Sequence, residues 1–288
     1  MVYEGRVFRP PSEGRSLIIQ ATIGCSHNRC KFCTMYREKK FRVRSSGEII
    51  EELRGLKDYY NHYKRIFLAD GDAMGMETSE LLKILAFIEE HIPQINRVGI
   101  YAHGKNLLGK SSGELKKLRE AGLGIVYLGL ESGSDTVLNE MNKGISVAEC
   151  VEGALMAKEA GMKISVMLIS GLGGRKNMRE HAVESARAVN RIKPNYLSLL
   201  TLMLDDSAEI MEDIETGKFE LLTPEEIMGE TRMFLQETNL YKTIFRSNHA
   251  SNYLAMEGIL GRDREKLLRD LEEAMEGEEY KEEFFRGL

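Results

Sequence analysis

The chain has 288 residues, with 40 basic and 45 acidic side chains, a net charge of −5 and a hydrophobic fraction of 42%. That balance is ordinary for a soluble globular protein with an ample core, and no apolar run approaches the roughly 20 residues of a membrane-spanning helix. The opening Met1-Val2-Tyr3-Glu4-Gly5-Arg6 lacks the basic-then-apolar order of a secretory signal. A reducing, cytoplasmic setting is therefore expected, in which clustered cysteines serve a metal.

In chain order, short apolar runs alternate with amphipathic helical stretches. Candidate strands cover residues 17–23, 65–69, 97–102, 125–130, 163–169 and 196–204, several of them apolar throughout, as parallel strands covered on both faces are. Capping boxes announce the helices between them. Ser45-x-x-Glu48 opens one reaching toward Tyr63, Ser111-x-x-Glu114 one ending near Gly122, and Ser146-x-x-Glu149 one ending at Gly161. The βα repeats, roughly 30 to 35 residues apart, predict an α/β fold: a partial (β/α)6 TIM-like barrel built from right-handed crossovers. Beyond residue 204 the pattern turns mostly helical, with Thr223-Pro224-Glu225-Glu226 a good helix start. The expected organisation is an N-terminal extension (1–16), a barrel core (17–204) and a C-terminal region closing the barrel (205–288).

Charge is unevenly spread. The run Arg37-Glu38-Lys39-Lys40-Phe41-Arg42-Val43-Arg44 is basic and the tail after Asp263 acidic. A basic run is most often a solvated face; contact with nucleic acid is the less favoured reading.

Three of the four cysteines fall within nine residues, as Cys25-x4-Cys30-x2-Cys33. They follow the first strand directly, which places them at the C-terminal mouth, where barrels keep their active sites. Three soft ligands on one centre leave a coordination position open for chemistry. A zinc site completed by His27 is the alternative, although structural zinc sites usually draw on two separated ligand pairs. Cys150 reads as a small core residue of a helix.

With these motifs the chain resembles the radical S-adenosylmethionine (SAM) enzymes, and among them the coproporphyrinogen dehydrogenase and methylthiotransferase branch. Their usual motif is Cys-x3-Cys-x2-Cys with an aromatic before the last cysteine; Phe32 supplies the aromatic, and the first gap here is one residue longer. Leu68-Ala69-Asp70-Gly71-Asp72-Ala73 takes the place of the family's Gly-Gly-Glu motif, with Asp72 in the acidic role. Tyr127-Leu128-Gly129-Leu130-Glu131-Ser132-Gly133 matches the stretch whose glutamate holds the SAM ribose. Ile169-Ser170-Gly171 matches the adenine-contacting region. The resemblance thus implies a [4Fe–4S] cluster on Cys25, Cys30 and Cys33, with SAM bound by Phe32, Asp70, Gly71, Asp72, Glu131, Ser132, Ile169 and Gly171. It implies reductive cleavage of SAM to a 5′-deoxyadenosyl radical that abstracts hydrogen from a substrate, and an electron donor such as flavodoxin or ferredoxin.

Two polar stretches outside these motifs are substrate-side candidates: Tyr101, His103 and Lys105 after the third strand, and Arg246, Asn248, His249 and Asn252 after an apolar stretch at 243–245. With Cys150 the sole spare cysteine, cysteines alone cannot ligate a second cluster, which disfavours methylthiotransferase and other sulfur-inserting activities. The expected substrate is a small molecule or modified nucleobase. A porphyrin-binding carrier and an RNA-modifying enzyme are the alternatives.

Overall fold

The computed structural model describes residues 3–287. In chain order the first elements are β1 (Leu17–Gln20), β2 (Thr22–Ile23), β3 (Arg42–Val43), α1 (Ser46–Gly55), β4 (Arg65–Ala69) and α2 (Thr78–His91). There follow β5 (Arg97–Ala102), α3 (Gly104–Leu108), α4 (Ser112–Glu120), β6 (Leu123–Glu131), α5 (Asp135–Glu140), α6 (Val147–Glu159) and β7 (Lys163–Ser170). The last are α7 (Gly174–Ile192), β8 (Tyr196–Thr201), α8 (Ile210–Glu215), α9 (Pro224–Glu237), β9 (Ile244–Ser247), β10 (Met256–Ile259) and α10 (Leu260–Gly277). The chain forms two compact units. One takes the stretch up to Asn28, Met35–Leu128 and Glu152–Ile164; the other takes Arg29–Thr34, Gly129–Val151 and the chain from Ser165 on.

In the first unit β1, β4, β5 and β6 lie side by side, all parallel, with registers such as Leu17↔Ile66, Ile66↔Val98 and Ile100↔Val126. Ile19, Ile66, Phe67, Leu68, Ile100 and Val126 are fully buried, as strands covered on both faces require. The capping boxes at Ser45–Glu48 and Ser111–Glu114 form as the sequence predicts. Two boundaries differ. The 17–23 strand breaks at Ala21, because Thr22 and Ile23 turn aside to pair antiparallel with Arg42 and Val43, closing the base of the cysteine segment. Helix α1 stops at Gly55, a weak helix former, and a 3₁₀ stretch takes over in which Tyr60 donates its hydroxyl to Leu53 O at 2.5 Å.

In the second unit β7 and β8 are parallel from Ser165↔Tyr196 to Ser170↔Thr201, β9 adds a further parallel neighbour, and β10 returns antiparallel on β9. Helix α9 packs on α7 and α10 on α9. Strand β8 ends at Thr201, earlier than the apolar run, where Ser251 and Asn252 take up the Thr201 N–H and hydroxyl. Past residue 204 the chain is mostly helical, as expected, with the β9–β10 hairpin between α9 and α10.

Candidate cofactor site

In the first unit, β4 delivers Asp70-Gly71-Asp72 to the base of the cysteine segment. Asp70 is fully buried, and its Oδ2 accepts from Gly24 N–H (3.0 Å), Gln20 Nε2 (3.1 Å) and Lys39 Nζ (2.8 Å). A buried carboxylate survives only with such compensation. Because Gly24 precedes the cysteines and Lys39 follows them, one side chain ties down both ends of the segment. Gly71 is required by close approach: a Cβ there would lie 2.7 Å from the Tyr36 ring and 3.0 Å from Cys25 Cβ. Tyr36 is itself braced by the edge of Phe8 at 5.6 Å and by Lys39 over its face at 5.3 Å.

Asp72 is buried. Burial pushes its carboxyl up to about 6, partly offset by hydrogen bonds from Ser26 and Asn106. Its Oδ1 has no hydrogen-bond partner. Beside it, Asn106 Oδ1 accepts His103 N–H (3.0 Å) and His103 Nδ1 accepts Lys105 N–H (3.4 Å), so His103 caps α3 while Lys105 points outward. The His27 ring stacks on His103 with centroids 6.2 Å apart. Tyr101 meets Phe67 edge to face at 4.8 Å and Tyr127 at 6.2 Å.

In the second unit, Cys33 N–H donates to Cys30 O at 3.1 Å, closing a tight turn. Two bonds fix that turn to the Met141–Lys143 corner: Lys31 N–H to Met141 O and Asn142 Nδ2 to Arg29 O, both 3.0 Å. Phe32 and Ile169, both assigned to SAM by resemblance, pack against one apolar cluster that includes Val137, Leu172 and Leu202.

Glu131 ends β6 with φ +65°, a left-handed conformation rare for a non-glycine residue and one that clusters at functional sites. Its side chain folds back over Gly129, where a Cβ would lie 2.2 Å from Oε1. Lys143 Nζ meets Oε1 at 3.0 Å, both side chains buried. Burial alone would depress the Lys143 ammonium, but the Glu131 carboxylate facing it outweighs burial and holds it above its usual value. Glu131 Oε2, like Asp72 Oδ1, is buried without a partner. Ser132 bonds His181, and Gly171 N–H bonds Glu230. Cys150 is fully buried, and burial pushes its thiol up to about 12, so it stays neutral.

The downstream candidates divide. Asn252 is saturated, accepting from Thr201 Oγ1 (3.0 Å) and donating to Leu199 O (2.9 Å) and Ser247 Oγ (3.1 Å). His249 Nδ1 accepts Ser251 N–H at 3.1 Å and meets its hydroxyl at 2.8 Å. Arg246 and Asn248 are exposed, Asn248 donating to Glu257 at 3.2 Å. A cleft of about 410 Å³ in this unit runs from Lys31 to the start of α7. Its cations already have partners: Lys31 and Lys218 on Asp213, Lys176 on Glu140, Arg175 on Glu220 and Glu226.

Lys39, Lys143, His181 and Glu230 belong to no motif in the sequence. Lys39 hides within a basic run, and Lys143 follows Asn142 at a turn, where charge normally signals solvent. His181 carries a faint signal, a ring on the helix face shared with Ala182, Ser185 and Val189.

Three reduced, half-buried thiols on one segment suit a cubane that spreads them over separate irons. Asp72 Oδ1 and Glu131 Oε2 are acceptors in want of donors, and SAM offers an ammonium and ribose hydroxyls. The residues present therefore fit both groups. An α/β scaffold with three thiolates after its first strand and buried acidic acceptors after later strands defines an iron–sulfur, SAM-dependent enzyme class. Residues 19–189, more than half of the chain, match the family model for the Radical SAM superfamily, and the chain belongs to that superfamily of enzymes.

A protein of Methanocaldococcus jannaschii, described provisionally as a methylthiotransferase, is 24% identical over 160 residues; these make up 53% of this chain and 34% of that protein, so the chain spans about a third of its relative's length. Methylornithine synthase superposes with TM-score 0.52 at 16% identity, covering 89% of this chain and 80% of that one. Coproporphyrinogen III oxidase from Escherichia coli gives 0.56 at 18% identity over 77% and 52%. A radical SAM methyltransferase from Kitasatospora setae gives 0.57 at 16% over 71% and 39%. At such identities the likeness shows the fold alone: the partial TIM-like barrel of radical SAM enzymes.

Proposed function

We propose that this radical SAM enzyme abstracts hydrogen from a small-molecule or modified-nucleobase substrate. Cys25, Cys30 and Cys33 would hold the cluster. Phe32, Gly71, Asp72, Glu131, Ser132, Ile169 and Gly171 would bind SAM, with Asp70 holding the cysteine segment in place for both. When bound, the reduced cluster supplies the electron that cleaves SAM and starts radical chemistry. The chain's own side chains orient the cofactor and exclude water: Asp72 and Glu131 accept hydrogen bonds, and Lys143 holds the Glu131 side chain in place through its buried ion pair. Tyr101, His103, Lys105, Arg246, Asn248, His249 and Asn252 stay the substrate-side candidates, and a flavodoxin- or ferredoxin-type donor would supply the electron. The observation behind this reading is that buried carboxylate oxygens lack hydrogen-bond partners at positions the family motifs assign to SAM, namely Asp70 Oδ1, Asp72 Oδ1 and Glu131 Oε2; Glu230 Oε2 is a further one outside those motifs.

The basic run supports a small-molecule substrate over RNA. Arg42 is paired with Glu4 and Glu48, Arg44 with Glu52, and Lys39 with Asp70. Among the described residues no helix is long and apolar enough to cross a membrane.

Anaerobic reconstitution tests the reading. The protein should turn brown, take up about four irons per chain and release 5′-deoxyadenosine when reduced with SAM, and Cys30→Ala should lose the cluster. A colourless protein retaining zinc refutes it. A brown protein that binds porphyrin and never yields 5′-deoxyadenosine would point instead to a carrier.

A further inference from the structure

We propose that His181 and Glu230 are positioning residues for the nucleoside half of SAM, an inference that rests on assigning the Glu131–Ser132 and Ile169–Gly171 turns to that cofactor. The two side chains come from α7 and α9, and each holds one or both turns. His181 Nε2 lies 3.0 Å from Ile169 O. A carbonyl can only accept, so Nε2 carries the proton and Nδ1 is an acceptor. Nδ1 is 2.8 Å from Ser132 Oγ, which must therefore donate to it while accepting Ser134 N–H at 3.0 Å. One imidazole thus spans the end of β6 and the end of β7. Glu230 Oε1 accepts Gly171 N–H at 2.8 Å, fixing the far side of the Ile169–Gly171 turn.

Neither group is charged near neutrality. Burial pushes His181 down to about 4, and burial pushes Glu230 up to about 8 against the pull of the Gly171 N–H. The 3.8 Å between Nε2 and Glu230 Oε1 is therefore a contact of neutral groups, and both stay committed to the turns.

The backbone is shaped for this seating. A Cβ on Gly133 would fall 2.2 Å from Glu184 O, and Gly133 N–H donates to Ser185 Oγ at 2.8 Å, so the turn after β6 rests directly on α7. Gly171 has φ +84°, and a Cβ there would fall 2.8 Å from Ile227 of α9. Positions between helix and sheet normally take apolar side chains. Here a histidine and a glutamate, 3% and 2% exposed, direct their bonds to Ser132, next to Glu131, and to Ile169 and Gly171. That direction, beyond burial itself, assigns them to positioning.

The experiment measures SAM affinity of the anaerobically reconstituted full chain by equilibrium dialysis, alongside iron content, thermal unfolding and the change in the reduced cluster's EPR spectrum on adding SAM. His181→Phe keeps the volume and removes both bonds; Glu230→Leu removes the acceptor for Gly171; Glu230→Gln retains it. The expected result is a SAM Kd weakened at least tenfold in His181→Phe and Glu230→Leu, with iron per chain unchanged and the EPR change shifted to higher SAM concentration. Glu230→Gln should bind within about threefold of the parent. Variants that load iron and bind SAM like the parent overturn the proposal. So does loss of cooperative unfolding and of iron together in His181→Phe and Glu230→Leu, which makes the pair core residues only. If the parent holoprotein itself fails to bind SAM, the assignment of the turns fails, a result distinct from either.

Discussion

Gly71→Ala adds a single methyl group at the point where β4 meets the cysteine segment. The new Cβ would sit 2.7 Å from the Tyr36 ring and 3.0 Å from Cys25 Cβ, both closer than unstrained carbon contacts allow. Tyr36 cannot swing away freely, because Phe8 and Lys39 brace it. The strain therefore falls partly on Cys25, which must move by a few tenths of an ångström. Overpacking of this kind costs about 1–3 kcal/mol, which lowers Tm by about 2–4 °C per kcal/mol in a chain of this size. Gly229→Ala is the control, since nothing lies within 4 Å of that added Cβ within α9; it should stabilise by about 0.5–1 kcal/mol. Tyr36→Leu combined with Gly71→Ala should recover part of the loss, a non-additivity expected of residues in contact. Thermal unfolding of the apo-protein and iron per chain after reconstitution are the two measurements. A Gly71→Ala protein that melts with the parent and loads iron equally refutes the packing argument.

Three further outcomes follow from the buried charges. Asp70→Asn leaves the Lys39 ammonium buried without a counter-charge, which costs about 3–5 kcal/mol; urea unfolding should show it, and iron loading should fall as both ends of the cysteine segment loosen. Lys143→Met strands Glu131 at a similar cost, whereas Lys143→Met with Glu131→Gln should be more stable than Lys143→Met alone, read from the same transitions. Asp72 titrates at about 6 in the fold against 3.8 ordinarily. The native state thus holds its proton more tightly than the unfolded chain, and stability falls as pH rises through the window from about 4 to 6. The difference amounts to about 3 kcal/mol by pH 7; apo Asp72→Asn should lack this decline, and parallel slopes for variant and parent would refute it.

What was legible in the sequence was local. The strands at 65–69 and 97–102 are apolar runs bounded by clear breakers, and the structure has them at those limits. Each predicted capping box forms because serine and glutamate three residues on need only each other. The break at Ala21 was hidden because its cause, the Arg42–Val43 pairing, is a two-residue exposed strand with no apolar signature. At the site, the cysteines and acidic residues announced themselves by motif. Their supports did not: Lys39 is 31 residues from Asp70, and Glu230 is 59 from Gly171. Sequence alone assigns a lysine to solvent, and only the fold shows that Lys39 and Lys143 lie inside with carboxylates.

The burial of Cys150 gives the chain an internal gauge. Three of its thiols are half-buried and one is fully buried and protonated. An alkylating reagent applied to native apo-protein therefore counts three sulfurs, and the fourth enters the count only as the molecule opens. Labelling at Cys25, Cys30 and Cys33 monitors the emptying of the centre, and labelling at Cys150 monitors unfolding, so damage by air and damage by heat can be told apart in the same tube by peptide mapping.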